Sequence, residues 1–551
     1  MTTRWSGSRK MRLSKSKNFD VIVVGAGIAG IRAAIKAGEA GCSVLLLSGG
    51  PIFSGSSFYP GTWGLGLIGP ESPADEEDLV QSILKVGCGM ADEKLVRSFV
   101  SGIGPAISEI KGMGIRLKEA KKQNEKDFIP CFDHKHRAWH GILFESAKEV
   151  FSKRLSELTV EQMPFSELLE ITKRDGQITG GVVFQKGKGI QWFGCKALVL
   201  ATGGYGGLFE RRLTTNDVTG MGQWLGLQSG CTLINMEFMQ MMPGYVTPCS
   251  KTIFNEKAFR FVSLYGQEGN NLLEKFPNQW EILIERSTHG PFTSRLPSRE
   301  VDFALVKEGE VKVEYQPEIR NHMPEFIKTY FDWLWEQKHL TIDDEVTISM
   351  FAHAANGGIR IREDASTEVK GLFACGEVTG GMHGADRLGG LSTANGLVFG
   401  GRAGKSAADY AKRTGVDQTK YCYFDFWEIP KREIIRKGMQ TIMTGAAMVV
   451  REGKALTNAV ESIDTLMERC IQKPTTDPKA AAASRRLWGQ LHLARAILQA
   501  ELLRSESRGS HYRKDFPELS ANFGRRIQIC WREGGFRVGF EPQEFERREI
   551  G

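Results

Sequence analysis

Three glycines, Gly25, Gly27 and Gly30, carry the first chemistry legible in this chain. They stand in Asp20-Val-Ile-Val-Val-Gly25-Ala-Gly27-Ile-Ala-Gly30, where four apolar residues run straight into Gly-x-Gly-x-x-Gly. That spacing suits a pyrophosphate. Gly25 permits the tight turn, Gly27 lets the backbone approach the phosphates, and Gly30 lets helix and strand pack closely. The helix N-terminus then offers unpaired N–H groups and a partial positive charge. The elements that must position these glycines are a strand before them, an Ala-rich helix over Ile31–Ala40, and a second strand over Ser43–Leu47. Strand, turn, helix and strand in that order make the motif informative.

Which dinucleotide binds is decided further along. Lys196-Ala-Leu-Val-Leu-Ala201-Thr202-Gly203-Gly204 reads as a buried strand ending in a glycine turn. Gly371-Leu-Phe-Ala-Cys-Gly376-Glu377 is another, followed by a Gly-rich segment from Gly380 to Gly390. Three glycine-terminated strands across one sheet suit a longer, extended cofactor and favour FAD. Ala201, Thr202, Gly203 and Glu377 are candidate contacts. Ser48 ends the second strand where an acidic ribose ligand is usual, and a hydroxyl can also bond a ribose. A helix starting near Ser392 would aim its N-terminal dipole at the flavin N1/O2 edge.

Composition narrows the function classes. The 551 residues are 41% apolar and 25% charged, which is ordinary for a globular protein of several domains. The net charge of +7 is spread thinly. The one basic cluster, Arg4 to Lys17, has no aromatic ladder and reads as part of a disordered basic tail over 1–17; nucleic-acid binding is not expected. No apolar run reaches the roughly 20 residues of a membrane span, and a soluble cytoplasmic protein is expected, peripheral to a membrane complex only through a partner. The ten cysteines form no Cys-x-x-Cys pair, so an iron–sulfur relay would sit on a partner protein. His134, His136 and His140 resemble a metal cluster by type. No acidic partner stands at helical spacing, and no metal is expected there.

The cofactor signals fall in two blocks, 18–230 and 350–415. The mixed segment between them, 231–349, reads as an inserted capping and substrate domain. Helical spacing over Arg432–Val450, Lys454–Cys470 and Ala480–Leu503 predicts a C-terminal helical domain over 416–540. The expected fold is α/β: a Rossmann-like doubly wound FAD-binding domain, an inserted α+β capping domain and that helical domain.

Taken together, the motifs resemble the flavoprotein subunits of fumarate reductase and succinate dehydrogenase, and L-aspartate oxidase. The matching pieces are Ala201-Thr-Gly-Gly, Thr214-Thr-Asn216, Asn235-Met-Glu-Phe-Met-Gln240, Leu296-Pro-Ser-Arg299, His353-Ala-Ala-Asn-Gly-Gly-Ile, Gly376-Glu377, His383-Gly-Ala-Asp-Arg387-Leu-Gly-Gly and Glu506-Ser-Arg-Gly. They keep the family's order from about residue 18 to 517. The resemblance implies hydride exchange between a flavin and one alkene carbon, with a proton delivered to its neighbour. It also implies an unsaturated carboxylate, or its saturated product, as substrate.

By the same resemblance, His353 and Arg387 clamp one substrate carboxylate, Arg387 as a two-pronged fork. The clamp withdraws electrons and makes the far alkene carbon a better hydride acceptor. Arg299 matches the family's proton donor, a poor acid that serves because the carbon it protonates is more basic still. Glu256 matches the glutamate that resupplies the proton. Arg260 is the candidate second relay arginine, displaced by one position. Closing the cap would exclude water and bring Arg299 to the substrate.

Three departures stand out. Gln240-Met-Met242-Pro-Gly244 replaces the family's Gln-Phe-His-Pro-Thr, so a substrate-binding histidine has become Met242. Asn255 replaces the threonine before the relay glutamate. Those two groups hold the second carboxylate in dicarboxylate enzymes, and a thioether leaves a soft apolar wall instead. The loop Gly49–Gly64 contains no histidine to link the flavin, so a non-covalent FAD is expected. The leading reading is an FAD-dependent enoate reductase or dehydrogenase acting on the CH–CH or C=C bond beside a carboxylate, supplied with electrons by an iron–sulfur or other redox partner. Its substrate is not a simple dicarboxylate. A true fumarate reductase or succinate dehydrogenase subunit is one alternative; a non-catalytic FAD subunit of a larger redox complex is another.

Overall fold

The computed structural model describes residues 9–119, 135, 137–321, 323–532 and 535–542. Its centre is the fingerprint strand Arg9–Val24. Val21–Val24 run parallel to Val44–Leu47 on one side and to Ala197–Leu200 on the other. Glu161–Met163 and Leu372–Ala374 extend the parallel sheet at its two sides. Val21, Ile22 and Val23 are fully buried, as an all-apolar strand covered on both faces must be. The helix Ile28–Glu39 follows and packs along the helix Leu391–Arg413. Their axes come close because a Cβ on Gly404 would meet Ala33 O at 2.2 Å.

Residues 9–17 correct the expected tail. They prolong the fingerprint strand and pair antiparallel with Tyr421–Glu428, from Arg9 opposite Phe426 to Ser14 opposite Tyr421. Their charges do not prevent this because two of the cations find aromatic faces: Arg12 lies 3.9 Å over Tyr421 and Lys15 4.9 Å over Trp192.

The segment expected to cap the site builds a four-stranded antiparallel sheet from Met239–Thr247, Val346–Ala355, Val311–Tyr315 and Val262–Tyr265. Helices Gln279–Arg286, Arg299–Glu308 and Glu325–Lys338 accompany it. The C-terminal part holds the helices Arg432–Ala446, Gly453–Glu468 and Pro478–Leu503, but it is not purely helical. The hairpin Ile527–Arg532 and Gly535–Phe540 joins the short strand Leu233–Ile234 in a separate sheet. Period-two pairing of that kind leaves little trace in a stretch rich in Arg and Gly.

A buried ionic network ties these parts together. Arg504 bonds Glu237 at 2.8 Å and Glu506 at 2.9 Å, while Arg508 bonds Glu506 at 2.6 Å. Each charge here has a partner, and removing one would strand the other without water. Ser510 Oγ donates to Ala385 O at 2.9 Å, which braces the loop that carries Arg387.

Candidate active site

One cavity of about 1510 Å³ runs from the fingerprint turn to the four-stranded sheet. Gly25, Gly27, Ser48, Ala201, Thr202, Gly203, Glu377 and Ser392 line one part of it, and Met242, Glu256, His353 and Arg387 line another. Gly25 has φ +114°, and a Cβ there would strike Ala201 O at 2.1 Å. Gly30 lies behind the turn, where a Cβ would sit 1.8 Å from Gly25 O. The backbone is therefore bare where a pyrophosphate would lie. Two further observations fit a dinucleotide. Thr202 Oγ1 is buried without a partner. The helix Leu391–Arg413 starts at Gly390 with no side-chain cap, leaving its first N–H groups for a ligand.

Ser48 lines the cavity and also has a structural part. Its hydroxyl donates to Pro51 O at 2.9 Å and lies 3.3 Å from Ser54 Oγ, which itself donates to Asp217 Oδ2 at 2.6 Å. Ser48 thus shapes the loop, and Asp217, which holds it through Ser54, is an acidic residue of the cavity wall that sequence reasoning missed. Its only signal was its place after Thr214-Thr-Asn216. Glu377 accepts from Ala355 N at 2.9 Å, and burial raises its pKa.

At the other end, register explains how His353 reaches the cavity. Gln240 pairs with Ala354 and Met241 with Ala352, so His353 is the extra residue of a β-bulge. A bulge re-aims its side chain. Burial, with Arg387 nearby, pushes the His353 imidazole down to about 3, so it stays neutral. Arg387 Nε donates to Gln240 Oε1 at 3.0 Å, fixing the guanidinium beside the bulge. Asp386 before it accepts from Thr293 Oγ1 at 2.7 Å and Arg295 Nε at 2.8 Å, tying this loop to the segment that leads to Arg299.

Glu256 opens the short 3-10 turn Glu256–Phe261. Burial raises its pKa, and its Oε2 has no partner. A Cβ on Gly290 would lie 3.5 Å from Glu256 Oε1 and 3.6 Å from Met242 Cε, which places all three at one corner. Asn255 is no cavity wall: its Oδ1 accepts from Lys257 N at 3.0 Å, which caps the turn. Arg260 and Arg299 do not line the cavity either. Arg260 Nε donates to Ser287 Oγ at 2.9 Å, and Arg299 Nη1 to Ser294 O at 2.8 Å. The arginine acting most strongly on Glu256 is Arg286, paired with Asp302 at 2.9 Å and donating to Gly290 O at 3.1 Å. No motif marked it. Of the histidine trio, His134 and His136 lie outside the described residues, and His140 Nδ1 lies 3.4 Å from Glu119.

Known proteins resemble this chain in sequence and fold. A model of the FAD binding domain matches residues 20–269 and 316–393, and a model of the fumarate reductase flavoprotein C-terminus matches 436–549. A fumarate reductase (CoM/CoB) subunit of Methanothermobacter marburgensis is 27% identical over 552 residues, covering 93% of this chain and 96% of the relative. An L-aspartate oxidase of Mycobacterium leprae is also 27% identical, over 93% of this chain and 95% of its own. The solved structure of Mycobacterium smegmatis Sdh1 in complex with UQ1 superposes with a TM-score of 0.78 at 22% identity, covering 96% of this chain and 95% of that one. Among the described residues no helix is long and apolar enough to cross a membrane. The chain binds FAD and belongs to the fumarate reductase flavoprotein and L-aspartate oxidase family of FAD-dependent oxidoreductases.

Proposed function

We propose that this chain reduces the carbon–carbon double bond of an unsaturated carboxylate, or runs the reverse dehydrogenation, on a substrate that is not a simple dicarboxylate. The observation that carries the reading is the shared wall of His353, Arg387, Glu256 and Met242 at one end of the FAD cavity. FAD, when bound and reduced, would supply the hydride for one alkene carbon. Arg387, held by Gln240, binds the carboxylate and draws charge from the alkene. His353 stays neutral beside it and gives a directed hydrogen bond without competing for the charge.

Glu256 holds the proton for the neighbouring carbon, since burial raises its pKa and favours the acid form. Arg299 delivers that proton when the capping segment closes. Arg286 and Asp302 fix the Gly290 turn against Glu256. Met242 offers an apolar surface where a second carboxylate would need a polar clamp. FAD is held without a covalent bond, and electrons arrive from a separate redox partner. The name of the Methanothermobacter relative, which makes it one component of a fumarate reductase, supports that partner and also favours fumarate itself as the second reading.

Anaerobic mixing of the reduced holoprotein with a panel of unsaturated acids tests the proposal. Recovery of the flavin absorbance with cinnamate or crotonate, faster than with fumarate, is the expected result. Recovery with fumarate alone would establish the second reading, and no recovery with any acid would leave the chain a non-catalytic FAD subunit.

A further inference from the structure

Two cations of the cavity wall form no ion pair among the described residues. Arg212 and Lys251 both line it. Beside them is one apolar cluster of Tyr59, Leu213, Met242, Ile253 and Phe351. The cluster is continuous with the clamp through Met242, which abuts Gly290 and Glu256. It is continuous with the cations through Leu213, which follows Arg212, and through Tyr59, whose hydroxyl donates to Lys251 O at 2.7 Å.

The bonds of Arg212 are all to neutral groups. Nη1 donates to Phe209 O and Nη2 to Asn216 Oδ1, both at 2.9 Å, while Nε is buried with no partner. Thr214, 3% exposed, lines the same cavity with Oγ1 also unpartnered. Among the described residues neither Arg212 nor Lys251 forms an ion pair. The neighbouring Arg436 is already matched to Glu433 at 2.7 Å. Burial lowers the pKa of both cations, with Arg436 adding to the effect on Arg212 and Arg212 to that on Lys251. A partly desolvated guanidinium bonded only to neutral groups retains uncompensated charge, which an anion would neutralise.

We propose that Arg212 and Lys251 form a distal subsite for a second anionic group of the substrate, borne on an apolar body that lies against Met242, Tyr59 and Phe351. The substrate class is then an unsaturated acid whose two anionic ends stand further apart than in fumarate. This rests on the enoate reading above and refines it. The bipolar layout also accounts for Met242, since an apolar spacer needs an apolar wall.

The test is binding of two probes to oxidised holoprotein, read from the flavin spectrum. Cinnamate has the acid and the apolar body, and 4-carboxycinnamate adds the distal carboxylate. Wild type should bind 4-carboxycinnamate about tenfold tighter, the scale of one partly screened charge-assisted bond. In Arg212→Gln, and again in Lys251→Gln, that preference should fall towards unity. Equal binding of the two probes by wild type would overturn the proposal, and so would a preference that both variants keep. Loss of FAD affinity with the preference intact would assign the cations to the cofactor and overturn it as well. Binding is read whether or not the probes are turned over, so failure of the enoate reading would show separately, as a lack of flavin reoxidation by either acid.

Discussion

The two ends of the cavity are built by different means. At the nucleotide end backbone does the work: Gly25, Gly27 and Gly203 line the space, and a Cβ on Gly25 would collide with Ala201 O at 2.1 Å. At the proposed substrate end side chains form the wall, with Arg387, His353, Glu256 and Met242 brought from strands and turns far apart in the chain. Backbone recognition tolerates almost no change, because the ligand fits atoms every residue shares. Side-chain recognition can be retuned one residue at a time. The contrast explains how relatives only 27% identical can share a cofactor while carrying the names of different enzymes.

Substitutions should separate the two ends. Gly25→Val should have the largest effect, abolishing FAD binding; the ratio of flavin to protein absorbance after purification should approach zero. A Gly25→Val protein that kept its flavin would break the contrast at its strong end. Arg387→Ala should keep a full complement of FAD yet lose about a thousandfold in kcat/KM, the scale of removing a charged transition-state contact from a desolvated site. Loss of flavin in that variant would mean that the two ends are not separable.

Glu256→Gln should cost about a hundredfold in kcat, within the range of a general-acid contribution. Its pH profile sharpens the assignment. The Glu256 pKa is raised, so the proton-bearing form persists above the usual carboxylate range. Reduction in wild type should therefore fall as pH climbs through that raised value, and Glu256→Gln should erase this alkaline limb. His353→Gln should lower the rate and leave the limb in place, because the imidazole pKa, pushed down to about 3, lies far below that limb. A limb that moves with His353 instead would reassign the titrating group. The smallest effect is expected from Met242→His, which restores a polar group at the clamp's far side. Fumarate turnover should rise by about tenfold, roughly the net worth of one directed hydrogen bond; unchanged fumarate kinetics would show that Met242 is wall packing only.

The same division governed how much the sequence revealed. The nucleotide end is local: strand, turn and helix are consecutive, and sterics at three glycines dictate the geometry, so Gly25, Gly27 and Gly30 could be read without the fold. His353 and Arg387 were found through motifs, yet the bulge that turns His353 into the cavity comes from a shift between strands more than a hundred residues apart. Asn255 shows the limit. The change to Asn255 was legible, but not that its Oδ1 caps a 3-10 turn, which depends on which way the chain enters it. Residues 9–17 looked like a solvated basic tail because their partner strand, Tyr421–Glu428, lies some four hundred positions away. Arg286 and Arg212 gave no signal at all, since an isolated arginine acquires meaning only from what surrounds it.

The central claim is that the substrate end is a carboxylate clamp acting on a bound alkene beside an independently held flavin. Stopped-flow reoxidation of anaerobically reduced holoprotein by cinnamate, in wild type and in Arg387→Ala at equal flavin content, tests it most directly. The account predicts recovery of the oxidised flavin spectrum in wild type, saturating with cinnamate, and a loss of about a thousandfold in Arg387→Ala. Equal recovery in both proteins would contradict it.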